Sequence, residues 1–125
     1  MHVVFGSILL VHGFAHLAGF VVPWRILRLE EMPYKTTILG GAVDLGDVGI
    51  RLMGGLWLAT SIAFVVVAIG AFTGAFWWFP IAFIVTTVSL FMTFAGWPDS
   101  WIGAVVNVVL LVALGVAAYL GWRTT

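Results

Sequence analysis

The sequence predicts an all-α integral membrane protein: a single domain of four antiparallel spanning helices. Of its 125 residues, 63% are hydrophobic and only 8% are charged, against roughly 25% charged in an ordinary soluble domain. Five basic and five acidic side chains cannot solvate the surface of a compact globule, so the apolar side chains must face lipid. The apolar residues also fall into four runs of the length a bilayer demands. That length is about 20 residues, because each helical residue rises about 1.5 Å against a hydrocarbon core about 30 Å thick.

The first run covers about 3–24 and begins almost at Met1, with no Lys or Arg before it and no small-residue cleavage site ending it. It reads as a retained span, not a removed signal peptide. The second covers about 52–72. The third covers about 75–97, with Pro80 in its opening turns, where a kink is tolerable. The fourth covers about 101–122. Thr73–Gly74 and Pro98–Asp99–Ser100 are connections short enough to force antiparallel neighbours. Only the interval 25–51 is long, and it holds eight of the ten charged residues: Arg25, Arg28, Glu30, Glu31, Lys35, Asp44, Asp47 and Arg51. Its "GGAVDLGDVGIR" section reads as a helical lead-in to the second span, lying at the interface, with Asp47 and Arg51 spaced to pair.

Trp24, Trp77, Trp78, Trp97, Trp101 and Trp122 stand near span ends. Amphipathic rings favour the membrane–water interface, so the six read as an aromatic belt and not as a substrate box. Arg25, Arg28, Lys35 and Arg51 on the long loop outnumber Arg123 on the other side. The positive-inside bias then puts the long loop in the cytoplasm and both termini outside, in a bacterial inner membrane. Net charge is zero and there is no basic run, which argues against nucleic-acid binding. The absence of cysteine excludes disulfides, iron–sulfur clusters and thiol chemistry. No phosphate loop, Ser/His/Asp set or retinal-binding lysine is present; the one lysine, Lys35, is in the loop.

The chemistry-bearing residues gather in the half of the membrane nearest the long loop. In "LLVHGFAHLAGF" (residues 9–20), His12 and His16 share one helical face, flanked by Phe5, Ile8, Leu9 and Gly19. His16 lies about 12 Å from the loop end of its span and His12 near mid-membrane. Arg51 opens the second span. Ser89 and Thr93 lie in the second half of the third. Asp99 reads as the N-cap of the fourth, and Asn107 sits roughly 9 Å into it. Ionisable residues within spans usually face the bundle interior and are functional candidates by default. The candidate ligand-binding set is therefore His12, His16, Arg51, Asp99 and Asn107, with His12 and His16 as the cofactor contacts. If one histidine touches a ligand it is His12, with His16 its support.

Several chemistries fit the pair. Two neutral imidazoles could bond to neighbouring helices and serve packing alone, and Asn107 reads most simply as a helix–helix hydrogen bonder. A metal would need a third or fourth ligand; Asp44 and Asp47 are the only plausible carboxylates and sit too shallow for His12. Two histidines on one face cannot straddle a single haem or chlorin, so at most one would ligate each pigment, and haem, chlorin and metal rank below a quinone. Contact with a lipophilic ligand such as a quinone, sterol or lipid is the remaining option. Gly6 and Gly13 facing Gly55 and Ala59, and Gly115 with Ala113 and Ala117, read as small-residue packing faces.

"LLVHGFAHLAGF", "MGGLWLATSIAF" (53–64), "WWF" (77–79) and "GWPDSWIGAVVNVVLL" (96–111) together resemble a group of small bacterial four-span membrane proteins. That group carries HG-x-x-H in its first span, G-x-x-W in its second and W-x-D…G…N leading into its fourth. The matching positions are His12, Gly13, His16, Gly19, Gly54, Trp57, Trp97, Asp99, Gly103 and Asn107. Ser100–Trp101 stand where the pattern carries a small residue and a lysine. The group is loosely similar to the DoxX-like four-helix proteins, some of which accompany quinone-linked redox enzymes, so the resemblance implies a quinone-related or redox-accessory role. Two functional classes follow. One is a ligand-binding or accessory component with a pocket at His12/His16. The other is a structural subunit of a membrane complex or homo-oligomer. An enzyme using a histidine as acid–base ranks third. A channel or transporter ranks last, for want of a repeat or a charged pathway.

Overall fold

The computed structural model describes residues 1–121. In chain order the elements are helices α1 (His2–Ala15) and α2 (Ala18–Val21), strands β1 (Thr37–Ile38) and β2 (Val43–Asp44), and helices α3 (Gly46–Thr73), α4 (Trp78–Ala95) and α5 (Trp101–Tyr119). α1 and α2 run on as one segment, His2–Val21. This segment and the three later helices are the four, among the described residues, long and apolar enough to cross a membrane. The chain is thus all-helical in its spans and multi-pass, as its composition requires. Trp122 and Arg123 lie outside the described residues.

The boundaries differ from the apolar runs for local reasons. α3 starts at Gly46, well before the apolar run, and carries Asp47 in its first turn, where a carboxylate suits the helix dipole. It ends at Gly74, whose left-handed backbone (φ 68°) lets the Ala75 N–H fold back 2.9 Å onto the Gly70 carbonyl. That turn delays α4 to Trp78. Pro80 falls in its first turn, where a missing N–H has no helical partner to lose.

The first span breaks at His16–Leu17. A regular ladder would send the Leu17 N–H to the Gly13 carbonyl. Instead the Ser61 hydroxyl donates to that carbonyl at 2.6 Å, and Leu17 N–H reaches only to Phe14, at 3.1 Å. The His16 ring inserts as well, Nδ1 donating 2.8 Å to its own preceding-turn carbonyl, His12 O. Side chains entering the ladder are a recognised cause of kinks.

α1 packs antiparallel along α3, α3 against α4, and α4 against α5. Glycines set the closeness of the first pair, as expected where packing and not hydrophobicity holds helices together. A Cβ on Gly6 would lie 2.8 Å from the Phe72 ring, and one on Gly13 would lie 2.7 Å from Phe64 Cβ. One on Gly19 would collide with the Trp57 indole. The partners differ from those the sequence suggested. Gly54, pressed against Trp24, makes the close approach from α3, whereas Gly55 and Gly115 meet nothing within 4 Å and Ala59 is exposed. Trp78 is another correction: it is 2% exposed, packed beside Phe5, Phe79 and His2, so it belongs to the core and not to an interfacial belt.

The two halves of the bundle differ. Away from the long loop the core is apolar, built on Phe5, Leu9, Phe64, Val67, Trp78 and Leu114. Toward the loop it contains His12, His16, Ser61, Ser89, Thr93 and Asn107, all buried. The long loop is ordered there by a β1–β2 hairpin, which docks on the connection between α4 and α5. The Gly40 N–H donates to Trp97 O at 2.8 Å, and Lys35 Nζ lies 2.6 Å from Asp99 Oδ2.

Candidate functional site

Four side chains from three helices form one hydrogen-bonded chain at the centre of the polar half. His12 Nε2 lies 2.9 Å from Asn107 Oδ1. Asn107 Nδ2 donates to Ser89 Oγ at 2.9 Å and reaches Thr93 Oγ1 at 3.3 Å. Ser89 Oγ is 2.6 Å from His16 Nε2, and His16 Nδ1 closes back on the His12 carbonyl. The two imidazoles of the first span are therefore wired to α4 and α5. Phe64 and Trp57 of α3 wall the pair in, with ring centroids 5.0 Å from His12 and His16 respectively. Each donor–acceptor pair crosses a region where an unpaired polar group finds no water.

α1 and α5 do not pack closely along their length, and the space between them is a groove of about 550 Å³. His12, His16 and Trp57 lie along its inner wall, while Ile8, Val11 and Ile102 edge it and are exposed on the outer face of the bundle. The groove therefore opens sideways, toward the hydrocarbon. Met32, Asp99 and Ser100 line its loop-side end. The size suits a small lipophile, and a mostly apolar lining with few placed polar groups is the usual make-up of such sites.

No family model, curated protein or solved structure matches this chain.

The candidate residues do not all meet. His12, His16 and Asn107 are bonded together, and Asp99 reaches the groove's loop-side end. Asp99 does not cap α5: Ser100 holds the N-cap position without a side-chain cap bond, its hydroxyl donating back to Thr93 O. Asp99 pairs with Lys35 instead, so a basic partner reaches it from the long loop. Arg51 stands apart from the groove, exposed, with its guanidinium 4.6 Å over the Trp24 ring. It does not pair with Asp47, which takes Arg25 at 3.2 Å and the Tyr34 hydroxyl.

Ser89, Thr93 and Trp57 belong to the site but were not among the candidates. The sequence placed Ser89 and Thr93 in the polar half, and their recurrence with Thr86 at helical spacing on one face of the third span is the signal that would have promoted them; Trp57 carried no signal beyond its G-x-x-W position. The lone pairs also narrow the chemistry. Both nitrogens of His16 are engaged within the protein and one of His12 is, so the pair cannot jointly ligate one ion or macrocycle as arranged. Among the described residues no three His, Asp or Glu side chains gather as a metal site.

Proposed function

We propose that the protein is a ligand-binding or accessory component of a bacterial cytoplasmic membrane, holding a lipophilic molecule of the quinone class in the groove between α1 and α5. The observation that carries this reading is a lipid-facing opening that leads straight onto the buried His12–Asn107–Ser89–His16 chain. Polar groups in a span are costly, and packing specificity alone gives no reason to leave a cavity beside them. The resemblance to DoxX-like proteins supports the same ligand class. The basic residues of the long loop support a cytoplasmic location for the hairpin, with both termini outside.

Native mass spectrometry of gently solubilised protein tests the reading. The expected result is a small lipophile bound to the wild-type chain and lost from His12→Leu, a variant that keeps the His16–Ser89 bond. Bare protein, or copies of the chain bound only to one another, would instead establish a structural subunit.

A further inference from the structure

The hydrogen-bond chain has a direction, and its direction says which functional group a ligand must bring. His16 Nδ1 faces the His12 carbonyl at 2.8 Å, and a carbonyl can only accept, so Nδ1 carries the proton. Neutral imidazole has one N–H; His16 Nε2 is therefore a lone pair, and the Ser89 hydroxyl, 2.6 Å away, must donate to it. Thr93 spends its own proton on the Leu90 carbonyl at 2.9 Å. Both hydroxyls facing the Asn107 amide have thus committed their protons elsewhere and can only accept from it. That fixes the amide orientation: Nδ2 toward Ser89 and Thr93, Oδ1 toward His12. Oδ1 accepts, so His12 Nε2 carries the His12 proton and Nδ1 is left as a bare lone pair.

That lone pair is the one ring position the chain does not use. His12 Nδ1 bonds to no described residue, and it is not among the sealed, unpartnered polar atoms, which are His2 Nδ1 and Thr86 Oγ1. His12 lines the groove, and an Nδ1 that is neither bonded nor sealed is assigned to that opening. An unpaired acceptor facing hydrocarbon is unfavourable, and only a donor relieves it.

Resting on the groove reading above, we infer that the site selects its lipophile by a hydroxyl group donated to His12 Nδ1. It therefore takes phenols and hydroquinones and discriminates against the corresponding quinones and ethers. A quinone carbonyl would set lone pair against lone pair at the same atom. A phenolic O–H is a strong donor on an aromatic body that suits the walls around His16 and Trp57. A site built around one hydrogen bond rejects analogues that cannot make it, because its buried group is then left unpaired.

The test uses the full chain in lipid nanodiscs with three probes of matched shape: 4-octylphenol, 4-octylanisole and octyl-1,4-benzoquinone. Saturable quenching of tryptophan fluorescence reads binding. The expected result is binding of the phenol at least about tenfold tighter than of the other two, a preference erased in His12→Phe. Histidine-labelled nitrogen NMR of the wild-type protein gives a readout independent of any variant's folding: a non-protonated His12 Nδ1 that shifts with the phenol and not with the anisole. Equal affinity for phenol and anisole, tighter binding of the quinone, or a protonated Nδ1 would overturn the hydroxyl rule while leaving the groove as a binding site. Failure of all three probes to saturate would overturn the groove reading with it.

Discussion

Asn107 is the residue on which the site turns, because its amide accepts from the first span through Oδ1 and donates to two α4 hydroxyls through Nδ2. Single interhelical hydrogen bonds in membrane proteins are worth on average only about 0.6 kcal/mol. Replacing Asn107 with Leu does more than delete bonds, because it strands the His12 Nε2–H in hydrocarbon. Leaving a buried donor unmet costs about 1–3 kcal/mol, and Asn107→Leu should lose stability in that range by thermal unfolding in detergent. His16 has a second role, since its ring and the Ser61 hydroxyl together divert the ladder at the first-span break. Ser61→Ala should remove the shorter of the two bonds on the Gly13 carbonyl, leaving the His16 N–H at 3.2 Å, and let the span straighten, read as new amide protection at Leu17 by hydrogen exchange. The two histidines were legible in the sequence, and so was their shared face. Which ring nitrogen each one uses was not, because that depends on Ser89 and Asn107, which only the assembled bundle brings within reach.

Among elements, the α1–α3 contact has the least room to yield. A methyl at Gly13 would press on Phe64 Cβ and lie 3.2 Å from the Ser61 carbonyl, atoms that cannot swing aside. Gly13→Ala should cost about 1–3 kcal/mol, the usual range for overpacking. Gly55→Ala and Gly115→Ala meet open space and should be neutral or gain up to about 1 kcal/mol from helix propensity. Composition could not separate these glycines, since a helix apolar all round carries no amphipathic signal of its rotation. Trp78 escaped for the same reason: its depth was readable, its facing was not. Asp47 and Arg51 had the right spacing to pair, but such pairs are worth only about 0.2–0.5 kcal/mol, too little to hold them against Arg25, Tyr34 and the Trp24 ring.

The hairpin element carries its own pH dependence. The Gly46 N–H and the Thr36 hydroxyl both donate to Asp44 and hold its carboxyl below the ordinary value. A carboxyl lowered in the folded state contributes its full stabilisation above the unfolded pKa of about 3.9. The contribution is lost as pH falls through the lowered folded value. Amide protection at Gly46, measured against intrinsic exchange, should fall across that acidic window in the wild type and stay flat in Asp44→Asn.

At the scale of the whole molecule, the number of apolar helices was legible because lipid thickness is a demand each segment meets alone, whereas the start of α3 at Gly46 was not, since a helix can extend beyond the apolar run that marks it. The hairpin's docking was not, because Lys35 and Asp99 are far apart in sequence. That ion pair is partly exposed, 39% and 19% by side chain, so Lys35→Ala should change global stability by no more than about 1 kcal/mol. Its expected effect is local, a faster exchange of the Gly40 N–H that bonds to Trp97. Orientation is testable without background, since the chain has no cysteine of its own. On the orientation proposed above, Gly41→Cys should label from the cytoplasmic face of spheroplast-derived vesicles and Phe76→Cys from the opposite face.

The seam missing between α1 and α5 has a consequence for how such a protein would be loaded. On the proposed reading, a site that faces sideways exchanges its contents chiefly with the two-dimensional solvent around it and not with bulk water. Its saturation then follows mole fraction among the lipids, not aqueous concentration, so diluting the membrane with inert lipid should empty it while diluting the buffer leaves it full.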